Sequence, residues 1–218
     1  MKDRPRPRRG TAIDWRHRRK EIAAKVLPLF LNRPWRNVTV EDVAAETGLS
    51  FWQIYYSFDG QEDVYRAAVT QLIETIAQRI DSGPDVAPTI LETIKRFVNF
   101  ISETLQTQSY RQLLYLRIRD EPVEPWLGIQ YRKRIGNPMV ALLKAAISAS
   151  GEEQGLQIAI DDRRCRETLI SLEASLAFPS LLQNQSIDAE FSEQAIRSSA
   201  KKIWAATYSL ENEMRLSA

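Results

Sequence analysis

The sequence predicts an all-α protein: a small N-terminal three-helix head containing a helix-turn-helix, followed by a longer helical body. Three observations predict it. Apolar residues recur at spacings of three and four, and no long alternating stretch rich in Val, Ile and Thr appears. Gly and Pro are sparse and stand at joints, at Gly48, Gly60, Gly83-Pro84, Pro122, Pro125, Gly151 and Gly155. Between Val43 and Phe58, Ala44, Gly48 and Ile54 stand at spacings of four and six, as two helices crossing through a tight turn require.

A first helix is expected over Asp14–Leu31, with Ile22, Val26, Leu29 and Phe30 as its stripe and a kink at Pro28, which cannot donate a hydrogen bond. A second begins at Thr39, because Thr39-Val40-Glu41-Asp42 has capping-box spacing with Asp in place of the more usual Glu. Val40, Val43, Ala44 and Thr47 form its inner face, and Gly48 ends it with a left-handed residue. Ser50 caps a short third helix. Leu49 and Ile54 fill the angle between the two, and Ala44 is small where they touch. A fourth helix from near Gln61 carries Val64, Ala67, Ala68, Leu72, Ile76 and Ile80. Further helices are expected over 87–107, 109–119, 126–149, 161–183 and 188–212. Three segments follow: a basic flexible arm at 1–13, the helix-turn-helix domain at 14–69, and the body at 70–218. The boundary is expected inside the fourth helix, since no flexible linker intervenes.

Composition narrows the function classes. In 218 residues, 44% are hydrophobic and 27% charged, enough apolar material for a buried core. The net charge of +2 conceals an asymmetry: residues 1–20 hold nine Lys/Arg against Asp3 and Asp14, which is +7 and leaves −5 for the rest. Such an arm suits a polyanion met at one end, or is simply solvated. The single cysteine, Cys165, excludes an intrachain disulfide. No run of about 18 apolar residues exists, and no apolar segment follows the basic stretch, so a cytoplasmic chain is expected. Arg163, Arg164 and Arg166 around Cys165 would favour a redox-active thiolate. Asp161, Asp162 and Glu167 offset them, and packing is the commoner role for a helical cysteine. The only histidine is His17, and the sequence has no phosphate-cradling Gly loop, HExxH, GxSxG or Cys/His metal spacing. No catalytic residue, metal or cofactor is therefore assigned.

On the wheel of the third helix Ile54 and Phe58 face the core, with Phe51 beside it, and Trp52, Gln53 and Tyr56 face solvent. Exposed aromatics call for a partner that covers them. Gln53 in the first turn has the chemistry to pair with adenine N6 and N7. Arg4, Arg6, Arg8 and Arg9 on the arm suit a minor groove, and Arg33 and Arg36 add phosphate contacts or are merely solvated. Two other classes stay open: a helical adaptor whose aromatics bind protein, and an all-helical enzyme built on scattered carboxylates.

Residues 18–69 resemble the DNA-binding region of the TetR (tetracycline-repressor-like) family. The resemblance is carried by Leu29-Phe30, Val38-Thr39-Val40, Val43-Ala44, Gly48-Leu49-Ser50, Ile54-Tyr55-Tyr56, Phe58 and Glu62-Asp63-Val64, over about a quarter of the chain. It implies a transcriptional repressor on a palindromic double-stranded DNA operator, released by a small lipophilic or aromatic effector. It implies DNA contacts from Thr39, Ser50, Trp52, Gln53, Tyr55, Tyr56, Ser57 and Gln61 together with the arm. It also implies an effector pocket in the body, for which Phe97, Asn99, Phe100, Tyr115, Trp126, Tyr131 and Phe178 are the candidates. The helices near 161–183 and 188–212 are expected to form a homodimer interface. Leu169, Leu172, Leu176 and Phe178 recur on one, and Phe191, Ala195, Ser199, Ile203 and Leu210 on the other. The chain departs from the family at Phe51, where a basic or polar residue is common, at Trp52, where a small one is, at Ser57, where an aromatic or His is common, and at Gln61, where a phosphate-gripping Lys is usual. Its recognition helix thus has no positive charge, and phosphate attraction must come chiefly from elsewhere.

Overall fold

The computed structural model of the chain describes residues 15–156, 158, 160–179 and 189–216. Arg4, Arg6, Arg8 and Arg9 lie outside the described residues, as does the side chain of Leu210. The described residues form α1 (Trp15–Asn32), a 3₁₀ turn (Trp35–Asn37), α2 (Val40–Thr47), α3 (Phe51–Ser57), α4 (Gln61–Ser82), α5 (Ile90–Leu105), α6 (Gln108–Asp120), α7 (Pro125–Tyr131), a π turn (Arg132–Gly136), α8 (Asn137–Glu153), α9 (Asp162–Leu176) and α10 (Ala189–Leu216). No strand occurs among the described residues, and no helix there is long and apolar enough to cross a membrane. The chain divides within α4 into two compact units, Met1–Gln71 and Leu72–Ala218.

In the first unit, α1 buries Ile22, Ala23, Val26 and Phe30 and runs through Pro28 as one helix. The capping box forms at α2: Thr39 Oγ1 accepts the Asp42 N–H at 3.2 Å and Asp42 Oδ2 accepts the Thr39 N–H at 2.8 Å. Such a cap contributes about 1 kcal/mol. Gly48 closes α2 at φ +70°, donating its N–H to Ala44 O at 2.9 Å. Space beside its Cα is open, so the backbone angle alone demands glycine there. Val38, Val43, Ile54, Phe58 and Val64 fill the core beneath the helix-turn-helix. Beside them Trp35 stacks on Tyr65 at 5.7 Å, and Phe30 meets Tyr65 edge-on at 5.2 Å. Each aromatic pair contributes about 0.5–1.5 kcal/mol beyond its burial.

The second unit is built around α5, whose buried stripe comprises Ile90, Ile94, Phe97, Val98, Ile101 and Leu105. Helices α8, α9 and α10 pack against it. Instead of one helix over 126–149, the chain forms α7, a π turn and α8. The Asn137 N–H reaches Arg132 O, five residues back. Pro138 supplies the reason: lacking an N–H and crowding the carbonyl four residues before it, it is accommodated by a local widening of the helix.

The residues expected at a homodimer interface are placed differently, and of the two readings of Cys165 the packing one holds. Leu169, Leu172 and Leu176 on α9 and Ser199 and Ile203 on α10 are buried within the single chain, where α9 packs on α10. Among the described residues of this region, the large apolar side chains facing outward are Ile170, Phe178 and Phe191. Cys165 is fully buried, and burial first, then Asp162 and Asp161, pushes its thiol up to about 11. The flanking arginines face away: Arg163 binds Glu167 at 2.9 Å and Arg166 donates to Asn137 Oδ1 at 2.8 Å. The thiol is a packing group, not an activated one.

Candidate nucleic-acid interface and body cavity

Helix α3 turns Ile54 and Phe58 inward, while Trp52 is 85% exposed, Tyr56 69%, Tyr55 57% and Phe51 47%. Trp52, Tyr55 and Tyr56 stand at i, i+3 and i+4 and so share one face. A cluster of exposed aromatics opposes the hydrophobic effect and marks a surface that a partner covers. Phe51 is not tucked beside the core as its wheel position implies; it joins the exposed set, because the seven-residue helix presents its first turn to solvent.

The polar groups of α3 are engaged locally. Gln53 Oε1 accepts from the Ser50 N–H at 3.0 Å and from the Ser50 hydroxyl at 3.1 Å, the reciprocal half of a Ser-x-x-Gln capping box. The Ser57 hydroxyl donates to Gln53 O at 3.0 Å. Thr39 is exposed at the start of α2, and Gln61 is half-buried at the start of α4.

A clamp holds α3 in place. Arg19 of α1 donates to Ser57 O at 2.6 Å and grips both carboxylate oxygens of Asp63, with its guanidinium 4.4 Å from the Phe58 ring centroid. Burial pushes the Asp63 carboxyl up, but the Arg19 guanidinium and the Asp59 N–H at 3.1 Å outweigh it and hold it below the usual range. Arg19 counts toward the basic N-terminus in the sequence, yet it fixes the end of α3 to the start of α4. Arg33 similarly pairs with Asp42 at 3.0 Å, and Arg36 lies 5.2 Å from the Trp35 ring centroid. The Asp42 carboxyl is held low, first by the Thr39 N–H and then by Arg33.

The body contains a cavity of about 510 Å³, within the size range of small-molecule sites. Ile101, Leu105, Leu114, Met139, Val140 and Leu169 supply apolar wall. Tyr110, Arg117, Tyr131 and Glu173 supply a polar cluster drawn from α6, α7 and α9. Tyr110 donates to Glu173 Oε1 at 2.8 Å, and the Tyr110 and Tyr131 hydroxyls lie 2.9 Å apart. Arg117 donates to Glu173 at 3.2 Å and to Glu121 at 3.1 Å, and covers the Tyr131 ring at 3.6 Å. Burial first, with Tyr131 and Glu173 adding, pushes the Tyr110 phenol far above its ordinary value. Burial and then Glu173 push Tyr131 up to about 12. Both phenols therefore keep their protons at neutral pH, and those protons are held within the cluster by Glu173 and by one another. A Cβ at Gly128 would overlap the Glu121 carboxylate, so glycine there lets Glu121 reach Arg117.

Of the sequence-assigned pocket residues, Tyr131 and Phe178 line this cavity. Phe97 is sealed in the core, and Phe100 is half-buried with the Arg79 guanidinium 5.6 Å from its ring centroid. Asn99 is exposed in a groove between α5 and α10, beside Lys95 and Trp204. Tyr115 is exposed near Arg119, and Trp126 is half-buried on α7. None of these five is among the cavity's lining residues. Tyr110, Arg117 and Glu173 escaped sequence reasoning, since Tyr110 and Glu173 meet across 63 residues with no local pattern to link them.

No protein-family model matches the sequence, and no curated protein matches it either. Solved structures do resemble the fold. A TetR transcriptional regulator from Chloroflexus aurantiacus aligns with a TM-score of 0.66 at 20% identity, over 88% of this chain and 96% of that one. A TetR-family regulator from Cytophaga hutchinsonii aligns with a TM-score of 0.65 at 15% identity, over 91% and 98%. The regulator FadR from Bacillus subtilis, solved in complex with stearoyl-CoA, aligns with a TM-score of 0.60 at 14% identity, over 84% and 98%.

Proposed function

We propose that this chain, whose fold is that of TetR-family transcriptional regulators, is a cytoplasmic transcription regulator that binds palindromic double-stranded DNA as a homodimer. The observation that carries this is the outward face of Trp52, Tyr55 and Tyr56 on the second helix of a helix-turn-helix. That helix is the one such motifs lay in the major groove. Thr39, Ser50, Ser57 and Gln61 border the face and serve as backbone contacts. Arg4, Arg6, Arg8 and Arg9 supply the positive charge that α3 lacks.

The body cavity takes the effector, and its apolar wall with one polar cluster favours a lipophilic or aromatic molecule bearing a hydrogen-bonding group. The stearoyl-CoA held by the similar FadR supports a lipophilic ligand. Effector binding releases the operator, making the protein a repressor. The dimer forms through α9 and α10, on the outward residues Ile170, Phe178 and Phe191. Ile170 and Phe178 also line the cavity, so dimer surface and ligand site share α9 and the residues just after it.

The test is selection of bound duplexes from a random pool by the full chain. Recovery of a palindrome is expected, with half-site centres about 34–36 Å apart or somewhat further. Light scattering that shows a monomer, with protection of a single half-site, would contradict the dimer. Removing residues 1–13 takes away five Lys/Arg. Each phosphate contact so lost should lower the log–log salt slope by nearly one.

A further inference from the structure

The recognition helix offers no side chain free to read a base by paired hydrogen bonds. α3 contains no Arg, Lys, Asn, Asp or Glu. Its one amide, Gln53, already has its carbonyl oxygen filled by two hydrogens from Ser50, at 3.0 and 3.1 Å. Bidentate reading of adenine needs that same oxygen for N6–H while the amide nitrogen donates to N7. It therefore competes with the cap that starts the helix.

What α3 does offer is aromatic carbon. Trp52 is the most exposed of its large side chains, and Phe51 beside it is half-exposed. Both lie in the first turn, the part of a recognition helix that reaches base edges. In the major groove the apolar feature is the C5-methyl of thymine. A polyanionic partner fits the charge distribution, since residues 1–20 hold +7 and the remainder −5.

We infer that this helix reads its half-site through thymine methyl groups, with Trp52 as the principal contact and Phe51 beside it. The inference rests on the DNA-binding function proposed above and adds the chemistry of recognition. Trp52 covers the methyl, water leaves both surfaces, and the gain is that of burying one carbon. Gln53 keeps its capping role, which holds the first turn at the angle the aromatic pair needs.

The test uses the full chain and a duplex recovered from the random pool, prepared once with thymidine and once with deoxyuridine in both half-sites. Uracil keeps the pairing edge and O4 and lacks only the methyl. At one fixed salt concentration, each buried methyl removed is expected to weaken binding about fourfold. Trp52→Ala should lose most of the thymidine preference, keeping only what Phe51 contributes. The first comparison needs no variant, and Trp52 lies outside the head's core. Equal affinity of the unaltered chain for both duplexes would overturn the inference and leave DNA binding standing. So would recovered half-sites without thymine. A Trp52→Ala chain that keeps the full thymidine preference would overturn the role of Trp52. Failure to enrich any duplex would remove the DNA-binding function itself and this inference with it.

Discussion

The head and the body invert one another's use of side chains. In the head, Trp52, Tyr55 and Tyr56 stand in solvent while Val38, Val43, Ile54, Phe58 and Val64 fill the space beneath α3. In the body, a glutamate, an arginine and two phenols are drawn inward among aliphatic walls. Neither arrangement stabilises its unit directly. Exposed apolar area forgoes about 25 cal/mol per Å², and buried charge stays tolerable only when paired and hydrogen-bonded. The surroundings maintain each one: Gly48, the Ser50–Gln53 cap and the Arg19 clamp on one side, Gly128 and the Arg117–Tyr131 contact on the other. The contrast teaches where to look for function. A surface that should be inside marks the candidate partner-facing end, and charge that should be outside marks the candidate ligand cavity.

The contrast can be broken from either side. The largest effect is expected in the body. Glu173→Ala leaves Arg117 with Glu121 as its carboxylate partner and strips the two phenols of their shared carboxylate, for a loss of about 3 kcal/mol in a denaturant melt. Glu173→Gln keeps an acceptor and should lose clearly less. In the head, Gly48→Val places a β-branched side chain at φ +70°, costing at least about 1–2 kcal/mol and disordering the turn. Amide exchange across α2 and α3 reports it. Thr39→Ala removes the α2 cap and should cost about 1 kcal/mol.

Two gentler measurements sharpen the picture of the body. The folded state holds the Tyr131 proton until about pH 12, whereas the unfolded chain releases it near the ordinary phenol value of about 10. A raised folded value means the contribution is complete below pH 10 and is lost as pH climbs toward 12. Stability should therefore fall over that alkaline window, and Tyr131→Phe should flatten the fall. The smallest effect concerns Cys165. With its thiol pushed to about 11 inside the core, it should resist alkylation at pH 8 until the chain unfolds.

How much of this was legible in the sequence follows from how far apart the responsible groups lie. The α2 cap at Thr39–Asp42 and the left-handed Gly48 are rules acting within a few residues, and they appear as expected. The inward and outward faces of α3 follow from helical spacing in the same way. Ser50–Gln53 also carries a local capping signature, which engages the same Gln53 oxygen that base reading would use. The Arg19–Asp63 clamp spans 44 residues and the Tyr110–Glu173 bond 63, with nothing in the pattern to join them. The apolar stripe of α9 reads as a contact surface, but periodicity alone does not say whether α10 of the same chain or another copy covers it. The π turn at Arg132–Gly136 could have been suspected from Gly136 and Pro138, which interrupt an otherwise continuous pattern.

The proposed DNA-binding function stands or falls on whether the aromatic face of α3 meets a specific duplex. The most direct measurement is the affinity of the full chain for its recovered duplex and for a scrambled one, each across a range of salt. A large preference for the recovered sequence is expected, with a steep salt slope on both duplexes. Replacing Trp52 and Tyr56 by alanine should remove the preference alone. Equal, salt-insensitive affinity for both sequences would contradict the proposed function.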